Sequence, residues 1–580
     1  MKRSIYVTTF LAVITSLYSY GQYTFQDCFD AYDQANAPFN QGNKVSFEGI
    51  NYEAKFWVDT PPPGEAWSNK GACGDASGVI GAEYVGKRRV IGYMPTWQKD
   101  YDFSTYDPSK ISHVIVSFLD FKAVDVGDVF ENMDYTSNDF VSEIKFSDKS
   151  VKDVDSILTH SNTNLLSVSR AAGTKVMVAI GGAIDYGFLW LMNKYYDDDQ
   201  KITQIAQLMV DYVESRGLDG IDLDMECWWI DNNVNKTVED GGRVRGSNFG
   251  DADQGPHVAA IGITRLAKKI KELKPDMLLS SVVFGTAWYG NNYDEEMADY
   301  LDWIGIFTYD FTGSWNETPF GPHGALRKLP LNTYQNQSAD NPIASGEEVL
   351  EYWMGIATPV WNHDGGFNIE RNKLCIGAPF YGYDFSTRKP NGGNGYEFEK
   401  YADIVAKYPE APTSYDPNSP GAFNGNINKN GENIYYETPK RIREKMKFVY
   451  DYGHQGIILW ELTQDLNPDH KDSLLKHIAD ENEIQCANAS LGCDGTLSID
   501  TFEETTNEIK LFFSDSSIHY DFSLFNGNQQ HQQRIEIFDL TGRKIKSESI
   551  KSSKGSFSFN STAGIYVVKG ANIAKLIHIY

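Results

Sequence analysis

The amino-acid sequence predicts an α/β fold: a (β/α)8 TIM barrel with a small α+β insertion between its last two strands, flanked by a small β-rich N-terminal module and a C-terminal β-sandwich. Between residues 88 and 480, eight short apolar segments recur, and segments with helical periodicity separate them. Eight such alternations are typical of a closed parallel barrel. A doubly wound open sheet is the alternative, but its phosphate-binding turn would rest on Gly181-Gly182 alone, which is a weak signal.

Residues 1–21 predict an export signal. Lys2-Arg3 precedes the mostly apolar stretch 5–17, and the small residues Ser19 and Gly21 suit cleavage after residue 21. No later stretch approaches the roughly 18–20 apolar residues of a membrane span. We therefore expect a secreted protein, extracellular or at the cell surface, without a membrane span.

Residues 22–75 are predicted to form a small module rich in aromatic residues and turns. So short a segment buries little apolar surface, and a Cys28–Cys73 disulfide would stabilise it. We expect Trp57 or Trp67 in its core and other aromatic rings to be exposed, where they can bind sugar rings. The segment resembles the small chitin-binding modules of carbohydrate-binding families 5 and 12, which implies a chitin-binding surface. The resemblance is carried by Tyr52, Phe56, Trp57, Trp67 and Cys73.

Residues 88–480 contain the candidate barrel strands, each followed by a loop and a helix-like stretch. The strand candidates are Arg89–Tyr93, Ile111–Phe118, Lys175–Gly182, Gly220–Glu226, Leu278–Phe284, Trp303–Tyr309, Lys373–Pro379 and Gly456–Trp460. The clearest helix candidates are Ile202–Arg216, Val258–Leu273 and Pro439–Tyr452. Two intervals are longer than a simple barrel needs. We expect 227–254 to be a loop on the catalytic face, and 383–436 to be an inserted subdomain with a helix at Glu397–Tyr408.

One candidate strand carries a row of carboxylates. Successive side chains of a strand point to opposite faces, so Asp222, Asp224 and Glu226 share one face, while Asp219 lies near the start, outside this register. In a barrel this face is the interior, and the strand's carboxyl end opens at the mouth where active sites lie. Buried carboxylates repel one another and are costly to desolvate, so the row indicates a function rather than a structural role.

Such a row suits acid catalysis, because packed carboxylates share protons and the outermost can stay protonated near neutral pH to protonate a glycosidic oxygen. The run Asp219–Glu226 resembles the Asp-x-x-Asp-x-Asp-x-Glu signature of glycoside hydrolase family 18, with every acidic position present. Further matching segments are Ala179–Gly182, Tyr309-Asp310 with Gly313–Trp315, Gly377–Gly382, and Trp460-Glu461 with Asp465. Ala179 and Phe307 stand where the family more often has Ser and Met.

The resemblance implies an enzyme, a chitinase that cleaves β-1,4 bonds between N-acetylglucosamine units by a substrate-assisted retaining mechanism. Glu226 would be the proton donor, and Asp224 would orient the substrate's 2-acetamido group. Asp222 would share a proton with Asp224, and Tyr309 would bond the acetamido oxygen. The implied substrate-binding residues are Tyr93, Gly182, Asp310, Trp315, Tyr381 and Trp460, the last as an apolar floor under the sugar.

After a polar linker at 481–498, residues 499–580 are predicted to form the antiparallel sandwich, with strands near Ile509–Phe513, Arg534–Leu540 and Gly564–Val568. This end resembles the C-terminal sorting domain of the type IX secretion pathway of Bacteroidota, through Ile537–Lys544, Gly564–Val568 and Lys575. The resemblance implies the secretion machinery as a partner. The Pro-Asn-Pro usual near the start of such domains is missing, and a generic immunoglobulin-like spacer is the alternative.

Composition disfavours other function classes. The net charge of −27 argues against nucleic-acid binding, which needs a basic surface, but does not repel a neutral polysaccharide. The 11 histidines include no pair at ligand spacing, so we expect neither a metal nor a cofactor, and we interpret His323 as a loop or capping residue. The expected partners are chitin or N-acetylglucosamine oligomers, and the expected state is a monomer.

The remaining cysteines are assigned from their surroundings. Cys486 and Cys493 lie close together in a polar stretch and are a second possible disulfide. Cys227 and Cys375 lie in apolar runs and are expected to be buried free thiols.

Two other functions compete with the chitinase. A chitin-binding lectin of the same barrel family would usually lack the acid, whereas Glu226 is present. An endo-β-N-acetylglucosaminidase acting on the chitobiose core of N-glycans would use the same residues. The chitin-binding-like module and the insertion, which deepens the cleft for a polymer, favour chitin.

Overall fold

The computed structural model describes residues 27–64, 66–74, 84–98, 101–123, 140–159, 164–228, 256–313, 318–356, 366–387 and 397–488, and seven strands within 510–579. Its contacts divide the chain into two units, residues 1–488 and 489–580. None of the described helices combines the length and the apolar character that crossing a membrane requires.

The N-terminal module is a three-stranded antiparallel sheet of β1 (Lys44–Phe47), β2 (Ile50–Ala54) and β3 (Trp67–Ala72). The predicted Cys28–Cys73 disulfide is confirmed, and it joins the start of the module to the end of β3. The small core is built from residues that share an inward face: Phe39, Val45, Tyr52, Ala54, Val58 and Trp67.

The four aromatic residues predicted to bind chitin differ in their exposure to solvent. Tyr52 is 6% exposed and Trp67 is 4% exposed, so these rings form the core and are not available to a ligand. Phe56 is 54% exposed and Trp57 is 58% exposed. Because Trp67 fills the core, the prediction that Tyr52 and Trp67 belong to a binding surface is wrong, and Phe56 and Trp57 are the exposed pair.

Eight parallel strands close the predicted barrel. They are β4 (Arg89–Pro95), β5 (His113–Leu119), β6 (Lys175–Gly182), β7 (Gly220–Met225), β8 (Leu278–Phe284), β9 (Trp303–Phe307), β10 (Leu374–Pro379) and β15 (Gly456–Trp460). The predicted fold class is therefore confirmed. Alternate residues of the strands fill the interior, where one apolar cluster holds Ile91, Tyr93, Ile115, Met177, Ala179, Val282, Trp303, Cys375 and Ile458.

Helices follow the strands, and acidic or hydroxyl side chains cap several of their N-termini. Asp198 accepts hydrogen bonds from the backbone N–H groups of Gln200 and Lys201, and Thr438 accepts one from Arg441. The described helices are α1 (Asp148–Thr159), α2 (Leu165–Ala171), α3 (Tyr186–Tyr195), α4 (Asp199–Arg216), α5 (Val258–Leu273), α6 (Ala287–Gly290), α7 (Gly346–Trp353), α8 (Tyr401–Lys407), α9 (Pro439–Asp451) and α10 (Leu474–Asn488).

The predicted insertion between the last two barrel strands is confirmed as a small α+β unit. Its antiparallel sheet has the order β12-β11-β14-β13. The strands are β11 (Tyr381–Asp384), β12 (Glu397–Lys400), β13 (Gly425–Lys429) and β14 (Glu432–Tyr436). The predicted helix Glu397–Tyr408 is wrong at its start, because Glu397–Lys400 pairs with β11, and this main-chain pairing overrides local helical preference.

The C-terminal unit is β-rich, as predicted. One sheet contains β16 (Lys510–Ser514), β17 (Ser517–Asp521) and β20 (Lys554–Ser558), and the other contains β18 (Gln533–Asp539), β19 (Lys544–Ile550), β21 (Gly564–Gly570) and β22 (Ile573–Ile579). All pairings are antiparallel. Ile535 and Ile537 alternate on one buried face of β18. The linker predicted from residue 481 starts later, because α10 continues to Asn488.

Cys227 and Cys375 are buried free thiols, as predicted. Cys486 lies in α10 and is disulfide-bonded. Cys493, its predicted partner, lies outside the described residues.

We predict that the N-terminal module depends on its disulfide. A C28S/C73S double variant should lose about 4 kcal/mol of local stability, because the bond closes a loop with a sequence separation of 45 residues. Hydrogen exchange followed by mass spectrometry should show faster exchange in β1–β3. Peptides from β4 and β5 in the same sample serve as the internal control, and unchanged exchange in β2 would contradict the prediction.

Candidate active site

Strand β7 places the carboxylate row at the mouth of the barrel. Asp222 and Asp224 are 0% and 1% exposed, whereas Glu226, the residue after the strand's last, is partly exposed. The intervening Leu223 and Met225 are buried on the opposite face, under the surrounding helices. Burial therefore increases from the mouth inwards, and the outermost carboxyl is the one that solvent or a ligand can reach.

Asp222 is held by two hydroxyl donors. The hydroxyl of Tyr93, on β4 across the barrel, donates to Oδ2 at 2.8 Å, and that of Ser280, on neighbouring β8, donates to Oδ1 at 2.6 Å. Ala179 occupies the matching register position on the other neighbour, β6, so Ser280 supplies the hydroxyl that Ala179 lacks. Burial raises the pKa of Asp222 to about 6, and the two hydrogen bonds limit that rise.

Asp224 and Glu226 are electrostatically coupled by a hydrogen bond. Burial raises the pKa of Asp224 well above its usual value, and the charges of Glu226 and Asp222 add to the effect. Burial also raises the pKa of Glu226 to about 7; the hydrogen bond to Asp224 lowers it, and the charge of Asp310 raises it further. The two groups therefore retain a shared proton at neutral pH, next to the opening of the barrel.

Tyr309 and Asp310 follow β9 on the same side of the barrel. The ring of Tyr309 packs 5.3 Å from that of Phe307 and 6.3 Å from that of Tyr381. Burial raises the pKa of Tyr309 well above its usual value, so its hydroxyl stays protonated. Within the described part of the chain this hydroxyl has no hydrogen-bond partner, which leaves its donor available to a ligand.

Asp310 joins the barrel to the insertion. Its backbone is left-handed, with φ +54°, and its side chain is 42% exposed. The hydroxyl groups of Tyr381 and Tyr383, both on β11, donate to the same oxygen, Oδ1, at 2.7 and 2.9 Å. The insertion thus fixes the orientation of a carboxylate that belongs to the barrel.

His323 is a site residue that the sequence interpretation missed. Its Nδ1 lies 3.4 Å from Oδ1 of Asp310, its Nε2 lies 3.2 Å from the carbonyl oxygen of Tyr381, and the side chain is 1% exposed. It lies in a loop, as predicted, but its side chain is buried behind Asp310, which the sequence interpretation did not foresee. The surroundings of this lone histidine come from distant segments of the chain, so no local signal could have found it.

Trp460, at the end of β15, forms an aromatic floor beside the carboxylates. Its ring centroid lies 5.6 Å from that of Tyr93, 5.9 Å from that of Phe118 and 6.1 Å from that of Trp97. Trp97 is 49% exposed. Sequence interpretation missed Trp97 and Phe118, although both lie at the carboxyl ends of barrel strands, where site residues are expected.

Glycines at the end of β6 allow a close approach to the carboxylates. Gly181 has φ +117°, and a Cβ at this position would lie 1.9 Å from the carbonyl oxygen of Asp224. A Cβ at Gly182 would lie 2.9 Å from the ring of Phe118. A side chain at either position would displace the catalytic strand or the floor.

One member of the acidic run lies away from the site, and two other predictions fall on residues that the structure does not describe. Asp219 lies before β7, at the other end of the barrel, and accepts hydrogen bonds from the Lys175 side chain at 3.0 Å and the Val176 N–H at 2.8 Å. Trp315 lies outside the described residues, as does the expected loop 227–254 except for residues 227 and 228.

Three carboxylates of the insertion lie close enough together to hold a cation. They are Asp384, Glu399 and Glu432. Glu432 accepts hydrogen bonds from Lys407 and Tyr408, and the buried Asp384 accepts them from the Ser386 hydroxyl and N–H and from the Asn433 N–H. These carboxylates therefore already have protein donors, and the cluster alone does not indicate a metal site.

The chain is similar in sequence to known glycoside hydrolases. A family model described as "Glycosyl hydrolases family 18" matches residues 89–465. "Endochitinase 1" of Metarhizium robertsii is 24% identical over 405 residues, covering 67% of this chain and 82% of that protein. "Probable chitinase 10" of Drosophila melanogaster is 23% identical over 324 residues, covering 51% of this chain but 12% of that protein. The solved structure of Ostrinia furnacalis Group II chitinase catalytic domain 2 gives a TM-score of 0.48 at 19% identity, covering 68% of this chain and 97% of that chain.

We predict that Gly181→Ala distorts the site, because the added methyl group would overlap the Asp224 backbone. Gly173→Ala is the matched control: Gly173 also has a positive φ of +82°, but nothing lies within 4 Å of its added Cβ. The control should cost about 1 kcal/mol of stability and Gly181→Ala more than about 3 kcal/mol, measured by thermal or denaturant unfolding. Equal losses in the two variants would contradict the proposed close contact.

Proposed function

The chain belongs to glycosyl hydrolase family 18, and from this premise we propose that it is a secreted chitinase that hydrolyses β-1,4 bonds between N-acetylglucosamine units. The observation that carries the proposal is the proton shared by Asp224 and Glu226 at the mouth of the barrel. A carboxyl with a pKa of about 7 retains its proton in about half of the molecules at neutral pH and can therefore act as a general acid.

In the proposed first step, Glu226 donates its proton to the glycosidic oxygen as the bond from that oxygen to the anomeric carbon breaks. The substrate's own 2-acetamido oxygen forms the new bond to the anomeric carbon. Asp224 accepts a hydrogen bond from the acetamido N–H and stabilises the positive charge that develops there. Tyr309 donates its hydroxyl hydrogen to the acetamido oxygen and aligns it for attack.

In the second step, a water molecule attacks the anomeric carbon and breaks its bond to the acetamido oxygen. Glu226, now ionised, accepts the proton of that water and returns to its starting state. Two displacements at the same carbon retain its configuration. The deeper Asp222, held by the hydroxyl groups of Tyr93 and Ser280, is proposed to share a proton with Asp224.

The arrangement of carboxylates supports attack by the substrate rather than by the protein. A protein nucleophile would have to be a second accessible carboxylate beside Glu226. Asp222 and Asp224 are buried, and Oδ1 of Asp310 already accepts two tyrosine hydrogen bonds. Of the three described carboxylates of β7 and its end, only Glu226 is partly exposed, so we propose that Glu226 moves the proton.

The substrate-binding residues divide into two groups in this proposal. Trp460, with Trp97 and Phe118, offers ring faces on which sugars can stack, and Asp310 offers a partly exposed acceptor. Tyr93 and Tyr381 are buried and donate to carboxylates, so we propose that they position Asp222 and Asp310 rather than touch the sugar. Gly182 has no side chain, which leaves space for the ring of Phe118 beside Trp460. The family resemblance implies that Trp315 contacts the sugar, and we keep this as a proposal.

We also propose roles for the regions on either side of the barrel. Phe56 and Trp57 are adjacent exposed aromatic residues on the N-terminal module and suit binding to the flat face of insoluble chitin. We propose that the C-terminal unit serves secretion, as its resemblance to sorting domains implies. The predicted export signal at residues 1–21 supports release from the cell.

We predict that Glu226→Gln lowers the rate of hydrolysis on the order of 10²–10⁴-fold, because the amide cannot donate the required proton. Binding of a soluble N-acetylglucosamine tetramer, followed by tryptophan fluorescence, should persist. Glu370→Gln changes an exposed glutamate and should leave both properties unaltered.

Mass spectrometry of products from colloidal chitin and from a high-mannose glycopeptide decides between the candidate functions. Disaccharide released from chitin by the unaltered protein supports the proposal. Cleavage of only the glycopeptide would transfer the activity to an endo-β-N-acetylglucosaminidase, and binding without any product would favour a lectin. Near-normal hydrolysis by Glu226→Gln would overturn the assignment of the acid.

We predict that F56A/W57A weakens binding to insoluble chitin about tenfold or more, since each exposed ring contributes stacking area. The rate on soluble oligomers should not change, because the module's exposed rings are not part of the barrel site. Ile484→Ala removes a comparably exposed apolar side chain, 47% exposed on α10, and is the control. Unchanged pull-down on chitin beads would exclude Phe56 and Trp57 as a binding surface.

A further inference from the structure

Tyr293 lies beside the end of the catalytic strand β7, although it has no part in the mechanism above. It is 1% exposed and belongs to the segment that follows β8. Its hydroxyl donates to the backbone carbonyl oxygen of Met225 at 2.7 Å. The same hydroxyl accepts a hydrogen bond from the backbone N–H of Phe284, the last residue of β8, at 3.4 Å. One side chain therefore joins the ends of two neighbouring barrel strands, at the residue that precedes Glu226.

The strand register indicates that this hydroxyl takes the place of a main-chain hydrogen bond. The described pairing of β7 with β8 ends at Asp224. In the same register Glu226 would next lie opposite Phe284, whose N–H would donate directly to the carbonyl oxygen of Met225. The Tyr293 hydroxyl lies between these two groups instead, so the direct bond of about 2.9 Å is replaced by two bonds through an oxygen. The pairing of β7 with β8 therefore stops just before the acid.

The other edge of β7 stays paired at this point. Gly182 of β6 lies opposite Met225 in the parallel ladder. The residue before the acid is thus held by a strand on one side and by the Tyr293 hydroxyl on the other.

The ring of Tyr293 makes a second contact, beyond the acid. It packs edge-on against the ring of Trp228, with centroids 5.1 Å apart and planes at 82°. Trp228 is 1% exposed, and its backbone N–H donates to the carbonyl oxygen of Glu226 at 2.9 Å, so the chain turns directly after the acid. Tyr293 therefore contacts the chain on both sides of Glu226, one residue before it and two residues after it.

Both sequence neighbours of Tyr293 are anchored to helix α5. The carbonyl oxygen of Asn292 accepts a hydrogen bond at 3.0 Å from the backbone N–H of His257, the N-cap residue of α5. Oδ2 of Asp294 accepts one at 2.7 Å from the hydroxyl of Thr264. The segment that carries Tyr293 is therefore fixed on both sides, which a residue that positions another group requires.

The Tyr293 hydroxyl keeps its hydrogen wherever the acid works. Burial raises the pKa of Tyr293 well above its usual value, and the charges of Asp224 and Glu226 add to the rise. The donor to the carbonyl oxygen of Met225 is therefore present throughout the pH range of the reaction.

We propose that Tyr293 is a positioning residue for the proton donor: its hydroxyl and its ring hold the main chain on both sides of Glu226, beyond the last pair of β7 and β8. Fixed in this way, the Glu226 side chain reaches both Asp224 and the mouth of the barrel. Without the hydroxyl, the Phe284 N–H and the Met225 carbonyl lose a partner and can pair directly, which draws the acid towards β8. The role rests on the proposed acid function of Glu226.

The test is Tyr293→Phe, which keeps the ring and removes the hydroxyl. A displaced acid should lower kcat/KM on a soluble N-acetylglucosamine tetramer by about 10- to 100-fold. The loss should be smaller on the 4-nitrophenyl glycoside of the N-acetylglucosamine disaccharide, because its leaving oxygen needs little protonation. Tryptophan fluorescence should show tetramer binding by Tyr293→Phe/Glu226→Gln within about twofold of that by Glu226→Gln alone.

Tyr450→Phe is the matched control. The buried Tyr450 hydroxyl also has two partners: it accepts from the backbone N–H of Arg88 at 3.4 Å and donates to Oδ1 of Asn482 at 2.6 Å. Arg88 precedes β4, so this hydroxyl lies at the opposite end of the barrel from the acid. The two variants should lower the melting temperature by similar amounts, and the control should leave kcat/KM unaltered on both substrates.

Several results would overturn the role of Tyr293. They are an unaltered kcat/KM in Tyr293→Phe, equal losses on the two substrates, weakened tetramer binding, or a fall in melting temperature well beyond that of Tyr450→Phe, since the last three mark general structural damage. Hydrolysis of the tetramer by Glu226→Gln would instead overturn the proposed function, so the two failures are distinguishable.

A crystal structure of the unaltered protein is a second measurement, which depends on neither activity nor a variant. We expect the Tyr293 hydroxyl within hydrogen-bond distance of both the Met225 carbonyl oxygen and the Phe284 N–H. Direct pairing of β7 with β8 as far as Glu226, with the hydroxyl elsewhere, would overturn the proposal.

Discussion

Burial of three carboxylates in one column of the barrel is the constraint to which the rest of the structure responds. Each carboxyl group removed from water favours its protonated form, and each neighbouring negative charge strengthens that preference. Asp222 and Asp224 lie inside the barrel, and Glu226 lies at its mouth. The column therefore favours protonated carboxyl groups near neutral pH, and in the proposed mechanism Glu226 delivers a proton at the mouth.

The hydrogen-bond partners of the carboxylates are mostly neutral hydroxyl groups, which leave the pKa values of the carboxyl groups raised. Asp222 is held by hydroxyl groups of Tyr93 and Ser280, and Asp310 by those of Tyr381 and Tyr383. Across the described surroundings of β7, no lysine or arginine pairs with the column. A cation there would lower the pKa values of the carboxyl groups, so that the acid would lose its proton. A hydroxyl group donates a hydrogen bond to a carboxylate oxygen without neutralising its charge. His323 lies behind Asp310, with its Nδ1 3.4 Å from Oδ1 of that residue.

The insertion and the N-terminal module add different kinds of surface. Strand β11 reaches the catalytic end and orients Asp310, so the insertion is part of the reaction site as well as a wall beside it. In the module, Trp67 is used for the core and Trp57 is left exposed. We propose that polymer capture and bond cleavage use separate aromatic surfaces, the first at Trp57 and the second at Trp460.

The sequence by itself determined what depends on local pattern. Short apolar runs separated by helix-like segments predicted the eight strands. The period of 2 predicted the shared face of Asp222, Asp224 and Glu226, because neighbouring side chains of a strand point to opposite faces. Only the tertiary structure decided which distant groups meet. Strand register brings Ser280 to Asp222, and the segment after β9 brings His323 to Asp310, where Tyr381 of the insertion contacts both. Similarly, Glu397–Lys400 became a strand because β11 lay beside it. These contacts form between segments that are far apart in the sequence. A local pattern of residues cannot predict them, because it contains no information about which distant segments pair.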